Sequence, residues 1–395
     1  MAVLCSRCRV FEADDEPITC VLFEGGPCSA CKERAAIRNR IQQLEDEIAE
    51  LKAKHDILTT PMNAIHDPFI HKLPPEICSH IFRLSSSRLT NDEHLEAIIN
   101  PWNKSPLGGS AKILRLGGVC RMWRQLAWAT PDLWDALYVR TGMGRPELDE
   151  LLPELVREWL ERSGSLPLTI FFNGYKSVGD ESGDYDDTVA VGNGLIVEIL
   201  NLHSHRWRIL NLTTTAPAFR RFSGSIQPNQ LVGLGLEVAY QSSDPSPPKF
   251  LMESELTPSH LMLDFPLTSV NVRWDNITHV TIPFISAKES INILRRASSL
   301  EYYDIHIYQP SEVSFRKPIL HPRLRSLHLS TSLNIEKFLR EINVPSIEEW
   351  THDSIHNGPL PVSALLSVFK RSGCHLKILH LTSLLVHSEG LNTIL

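Results

Sequence analysis

A six-residue pattern, apolar-x-x-apolar-x-apolar, returns throughout the second half of this 395-residue chain. It reads Trp207-Leu210-Leu212, Leu231-Leu234-Leu236, Ile277-Val280-Ile282 and Leu300-Tyr303-Ile305. It continues as Leu324-Leu327-Leu329, Ile347-Trp350-His352 and Leu376-Leu379-Leu381. From Ile277 the starts are 23, 24, 23 and 29 residues apart, and a degenerate unit at Leu261-Leu263 fills the gap after Leu231. The last two apolar positions of each unit are two residues apart, the spacing at which strand side chains share a face. The residues between units are enough for a helix or loop that returns to the next strand. No single unit can bury both its strand and its helix faces, so the units have to stack. The pattern therefore predicts an α/β fold with a parallel strand layer.

Return helices are predicted over Ser286–Ala297, Asn334–Ile342 and Val362–Arg371, each with apolar residues at helical spacing. Upstream, Pro146–Ser163 reads as a helix, Leu166–Phe172 as the first strand and Val189–Leu202 as its return helix. The stretches Tyr175–Asp187 and Ser242–Lys249 read as an acidic and a proline-broken loop. Period and spacing resemble leucine-rich repeats of the irregular kind, with few asparagine-ladder positions. That resemblance implies a solenoid over residues 146–395 whose strand surface receives a protein target. The positions between the apolar ones, Tyr302, Arg325 and His328 above all, are the target-binding candidates. No polar capping unit follows the last strand before Leu395, so the array either ends short or continues in a longer protein.

A split helical signature precedes the array: LPPEICSHIFRL at Leu73–Leu84 and LRLGGVCRMWRQLAWATPDLW at Leu114–Trp134. Proline is tolerated in a first helical turn, and Ile77, Ile81 and Leu84 then form one apolar stripe. In the second part Leu116, Val119, Cys120, Trp123, Leu126 and Ala127 keep helical spacing. Leu73-Pro74 followed by Val119-Cys120-x-x-Trp123 resembles the F-box, and the whole chain resembles fungal F-box-like proteins with a carboxy-terminal leucine-rich-repeat-like array. The resemblance implies a helical domain over residues 66–140 that docks on a Skp-type adaptor and so on a cullin complex. Leu73, Pro74, Ile77, Ile81 and Val119 would form the adaptor face, with Trp123 mainly in the core. The connection at 85–112 is longer than is usual for that domain. It carries a candidate helix at Asp92–Ile99 and, if it projects outward, should leave the helix packing intact.

Five of the eight cysteines fall in the first 31 residues. Cys5-x-x-Cys8 and Cys28-x-x-Cys31 have the spacing of two knuckles that supply four thiolates to one tetrahedral zinc, leaving Cys20 spare. The alternative for residues 1–35 is a tail without metal. The order is also similar to the fungal binuclear zinc cluster, but that cluster needs a sixth nearby cysteine. The next here is Cys78, and the first loop carries Glu12, Asp14, Asp15 and Glu16, the wrong sign for phosphate. Residues 36–60 read as a heptad helix, with Ile41, Ile48 and His55 at a and Ile37, Leu44, Leu51 and Leu58 at d. Either a two-stranded homodimer through 37–58 or a single exposed helix satisfies the pattern. Thr59-Thr60-Pro61 is expected to end it.

Nucleophile elbows, phosphate-binding loops, dinucleotide fingerprints and metalloprotease helices are all missing from the sequence, so no enzyme class is indicated. The net charge of −7 speaks against general nucleic-acid affinity. No run of eighteen apolar residues predicts a transmembrane helix, and the amino terminus lacks a secretory pattern, so a cytoplasmic or nuclear location is expected. The reading is a target-recognition adaptor of a ubiquitin ligase acting in protein degradation. The alternatives are an interaction scaffold outside ubiquitination and, third, a zinc-cluster transcription regulator.

Overall fold

A computed structural model describes residues 28–66, 72–86, 89–99, 109–142, 146–174, 187–226, 230–239, 247–264, 266–309, 318–354 and 361–383. The chain divides into two units, Met1–Pro74 and Pro75–Leu395.

In the first unit one helix, α1 (Ser29–His66), runs for 38 residues. It begins before the heptads and does not stop at Pro61, which lies inside it. Proline removes one backbone donor and kinks a helix more readily than it ends a long one. The heptad positions Ile37, Ile41, Ile48 and Leu51 are all at least half exposed.

In the second unit, α2 (Pro75–Ser85) opens on proline with Glu76 in its first turn, where both suit the unpaired amides and the helix dipole. The second signature segment is not one helix, as the spacing predicts, but two: α4 (Gly109–Val119) and α5 (Arg121–Trp128). Cys120 between them is extended, with φ −156° and ψ 172°, and its Sγ accepts from the Trp123 amide at 3.4 Å. Gly117 and Gly118 weaken the helix just before this break. The inserted connection folds as α3 (Asn91–Ile99), started by a capping box in which the Thr90 and Glu93 side chains reach each other's amides.

Ten strands form one sheet, all parallel, joined strand to strand in chain order. They are β1 (Ala136–Arg140), β2 (Leu168–Asn173), β3 (Trp207–Thr214), β4 (Gly233–Val238), β5 (His260–Asp264), β6 (His279–Ser286) and β7 (Tyr302–Gln309), then β9 (Ser326–Thr331), β11 (Glu349–Ser354) and β12 (Ile378–Ser383). A separate short pair joins β8 (Ile319–Leu320) to β10 (Ile342–Asn343). The sheet starts one strand earlier than predicted, at Ala136 rather than near Leu166.

The recurring apolar positions align in register and form the buried face. One row runs through Ile170, Leu210, Leu234, Leu261, Val280 and Tyr303, each fully shielded from solvent. Over that side lie the helices α6 (Pro146–Arg162), α7 (Asp187–Leu202), α8 (Ala216–Phe219), α9 (Ala287–Arg296), α10 (Glu336–Arg340) and α11 (Val362–Ser372). α9 begins on a capping box made by Ser286 and Glu289. α11 ends at Gly373, whose φ of 60° lies in the left-handed region that glycine adopts without a Cβ clash. His352 takes a core-row position in β11 and is buried, in the place its repeat unit gives it. No helix among the described residues is long and apolar enough to cross a membrane.

Candidate partner-binding surfaces

The helical region separates residues that hold it together from residues left outward. Phe82 and Trp123 pack with ring centroids 4.8 Å apart, joining α2 to α5. The Ser79 and Thr130 hydroxyls meet at 2.9 Å, and Arg83 pairs with Asp132 at 3.1 Å. Trp134 is fully buried, donates from Nε1 to the Ala127 carbonyl at 2.8 Å and meets Trp159 of α6 edge-on at 4.6 Å. That contact ties the helical region to the strand layer. Trp123, expected mainly in the core, is only half-buried.

Of the adaptor-face candidates, Ile77 and Val119 are about half exposed, at 47% and 55%, and Ile81 is half-buried. Leu73 is half-buried and Pro74 exposed; both belong to the first unit, directly before α2 in the chain. Leu84, Leu114, Met122 and Trp128 are also exposed apolar side chains of α2, α4 and α5. Their pattern in the sequence is that of ordinary helix faces, and only burial of the alternate positions singles them out.

The second surface is the sheet face opposite the core. The inserted helix does not project outward: α3 lies on this face. Its Leu95, Ala97 and Ile98 pack with Tyr138, Phe171, Ile209 and Met262. His94 is buried, stacks at 6.0 Å on Tyr138, meets Phe171 tilted at 5.9 Å, and bonds the Tyr138 hydroxyl. The reason is visible in β4. A Cβ on Gly233 would come within 2.7 Å of both Leu95 and Ile98, so glycine is what lets the helix approach the strand. The insertion is amphipathic, and burying Ile98 and Ala97 outweighs leaving the segment in solvent.

Beyond α3 the face becomes polar. His260 and His279 stack at 4.2 Å, nearly parallel at 9°, and His279 stacks at 5.7 Å on Tyr302. The Nδ1 atoms of the two imidazoles meet the hydroxyls of Ser259 and Thr278 at 2.8 and 2.9 Å. Burial lowers both, His260 to about 4, so the pair is neutral at physiological pH. Burial, with Asp304 and Glu349 nearby, pushes the Tyr302 phenol up.

On the next strands His328 is clasped by two carboxylates, Nδ1 to Asp304 at 3.1 Å and Nε2 to Asp353 at 2.8 Å. The bond to Asp304, with that to Asp353, raises it to about 9 against the opposing effect of burial, so it carries a charge. Tyr302 and His328 thus share one face. Arg325 does not join them. It precedes β9, exposed, in a marginal row with Glu301, Glu348 and Lys377 linked by backbone bonds of 2.7–2.8 Å.

A cleft of about 300 Å³ opens at the carboxyl ends of β4 to β7, lined by Asp264, Ile282, Phe284, Glu289 and Tyr308. Glu289 is already engaged in capping α9. No group of three His, Cys, Asp or Glu side chains suited to a metal occurs among the described residues. Cys28 and Cys31 lie at the start of α1, both buried and three residues apart, an arrangement that suits two ligands of a thiolate site. Cys5 and Cys8 fall outside the described residues, as do most of both predicted loops.

A family model described as F-box-like matches residues 70–140, the span from the approach to α2 through the end of β1. No curated protein matches significantly.

Proposed function

We propose that the chain is a target-recognition adaptor of a cullin-RING ubiquitin ligase of the SCF type. The observation that carries this reading is the coincidence of the F-box-like match with helices that leave Ile77 and Val119 exposed while burying Cys78, Phe82 and Trp134. F-box domains in general bind Skp-type adaptors, and exposed apolar side chains on a rigid helical unit supply the anchors such a contact needs. Ten parallel strands in chain order support a leucine-rich-repeat-like array as the target-binding part. The chain contributes positioning; the ubiquitin chemistry belongs to other subunits. An interaction scaffold outside ubiquitination is the alternative, and it predicts no Skp-type adaptor in the complex.

The test is co-purification with a Skp-type adaptor from wild type and from a variant carrying Leu73→Ala, Pro74→Ala and Ile77→Ala. Loss of interface anchors costs about 2 kcal/mol or more, so retention should fall at least ~30-fold with the circular-dichroism spectrum unchanged. Undiminished binding by the folded variant would refute the assignment.

A further inference from the structure

The chain shows how its own sheet face holds an occupant. One register row crosses the face through Gly233, His260, His279, Tyr302, Ser326, Glu349 and Ile378. At the first of these α3 seats Leu95 and Ile98 over a residue without a side chain. Ser326 is the next small residue in the row. It sits between the Tyr302 ring and the Glu349 carboxylate, and its hydroxyl donates to Glu349 Oε2 at 3.2 Å.

The charges around Ser326 are mostly negative. Glu349 contributes a carboxylate in the same row and Asp304 one two residues along β7, where Tyr302 bonds it; Asp353 lies farther along β11, opposite Ser330. The cation facing them is His328, whose two ring nitrogens are both engaged. The marginal row alternates Glu301, Arg325, Glu348 and Lys377, and Lys377 pairs with Glu348 at 2.8 Å, so that row adds no net sign. His306 and His380 lie farther along β7 and β12 on the same face.

We propose that the face over Ser326, between Tyr302 and Glu349, docks an arginine side chain of the protein target. A planar guanidinium stacks on the tyrosine ring while its N–H groups pair with the Glu349 carboxylate. Lysine matches the charge but not the plane. An acidic residue meets the Glu349 and Asp304 carboxylates, and an apolar one strips them of water without replacing it. The inference rests on the target-recognition reading and adds the chemistry of what is recognised.

The test exposes the full chain, with and without a Skp-type adaptor, to degenerate peptide pools that fix Arg, Lys, Glu or Leu at the centre. Arginine pools should be retained ~10-fold over glutamate pools and a few-fold over lysine pools. Glu349→Gln, which keeps shape and fold, and Tyr302→Leu should each reduce arginine retention ~10-fold and leave adaptor binding unchanged. Equal retention of arginine and glutamate pools, retention of no pool, or indifference to Glu349→Gln overturns the inference. A chain that selects arginine but never retains the adaptor sinks the ligase reading alone; one that binds the adaptor without selecting arginine sinks only this one.

Discussion

Replacing Ile98 with alanine tests whether the inserted helix is a separable layer seated on the sheet. Ile98 is 1% exposed and packs with Ala97, Phe171, Ile209 and Met262. The substitution removes three carbons, worth about 2.5 kcal/mol at ~0.8 per buried methylene. Collapse into the gap is limited, because Gly233 and Gly235 beneath have no side chains to rearrange. The cavity contribution brings the total to about 3–4 kcal/mol. A nine-residue helix does not persist on its own, so the loss falls on α3 docking rather than on the whole sheet. The opening constant should rise by two to three orders of magnitude. Hydrogen exchange read by mass spectrometry would then speed up over Asn91–Ile99 and Gly233–Val238, with Ser326–Thr331 and Glu349–Ser354 unchanged. Wild-type exchange over α3 would show that the helix is not held by this contact. Uniform acceleration through β11 would show that it is inseparable from the global core.

Trp134→Ala should cost about 3–5 kcal/mol in urea unfolding, since the ring is fully buried and hydrogen-bonded, and half-buried Trp123→Ala distinctly less; the reverse order would overturn the packing described. His328 should titrate near 9 by NMR rather than near 6.5. Its raised value makes its stabilisation complete below about pH 6.5 and lost as pH climbs through about 9, whereas His260 and His352, held down at about 4, lose theirs as pH falls from 6.5 towards 4. A stability maximum near pH 6.5 follows, and a high-pH loss that survives His328→Gln would show the clasp to be unimportant. Through the exposed stripe of α1 the chain should run as a dimer in light scattering, with Leu44→Lys plus Leu51→Lys giving a monomer; a wild-type monomer removes the coiled-coil reading.

The strand layer was legible because its constraint is periodic. Each of Leu210, Leu234, Val280, Tyr303, Leu327 and Trp350 has to be apolar to share the buried face, and that need repeats at nearly constant spacing. β1 escaped because Ala136–Arg140 follows Leu133-Trp134, which the helical signature already accounted for, and lies 32 residues before Leu168, outside the repeat spacing. The break at Cys120 escaped because apolar spacing runs straight across it; Gly117-Gly118 was the available sign. Helix existence near Asp92–Ile99 could be read, but not its seat. Two features pointed to that seat: the Thr90-x-x-Glu93 capping box and the two glycines, Gly233 and Gly235, alternating with leucines in β4.

The polar face obeys a different logic. His260, His279 and Tyr302 are separated by 19 and 23 residues, and nothing in their local sequence distinguishes them from solvated strand positions. They become neighbours only once the ladder places one row across three strands. The same holds for Asp304, His328 and Asp353, whose clasp needs a register and a diagonal step. Side chains on the buried face are chosen by a requirement common to every unit, so they repeat. Those on the outer face answer to whatever lies against them. Across β3 to β5 that is α3, seated on Ile209, Gly233, Gly235 and Met262; across β7 to β11 the face carries Tyr302, Asp304, His328, Glu349 and Asp353, so the character of one face changes along one sheet where the chain's own occupant ends.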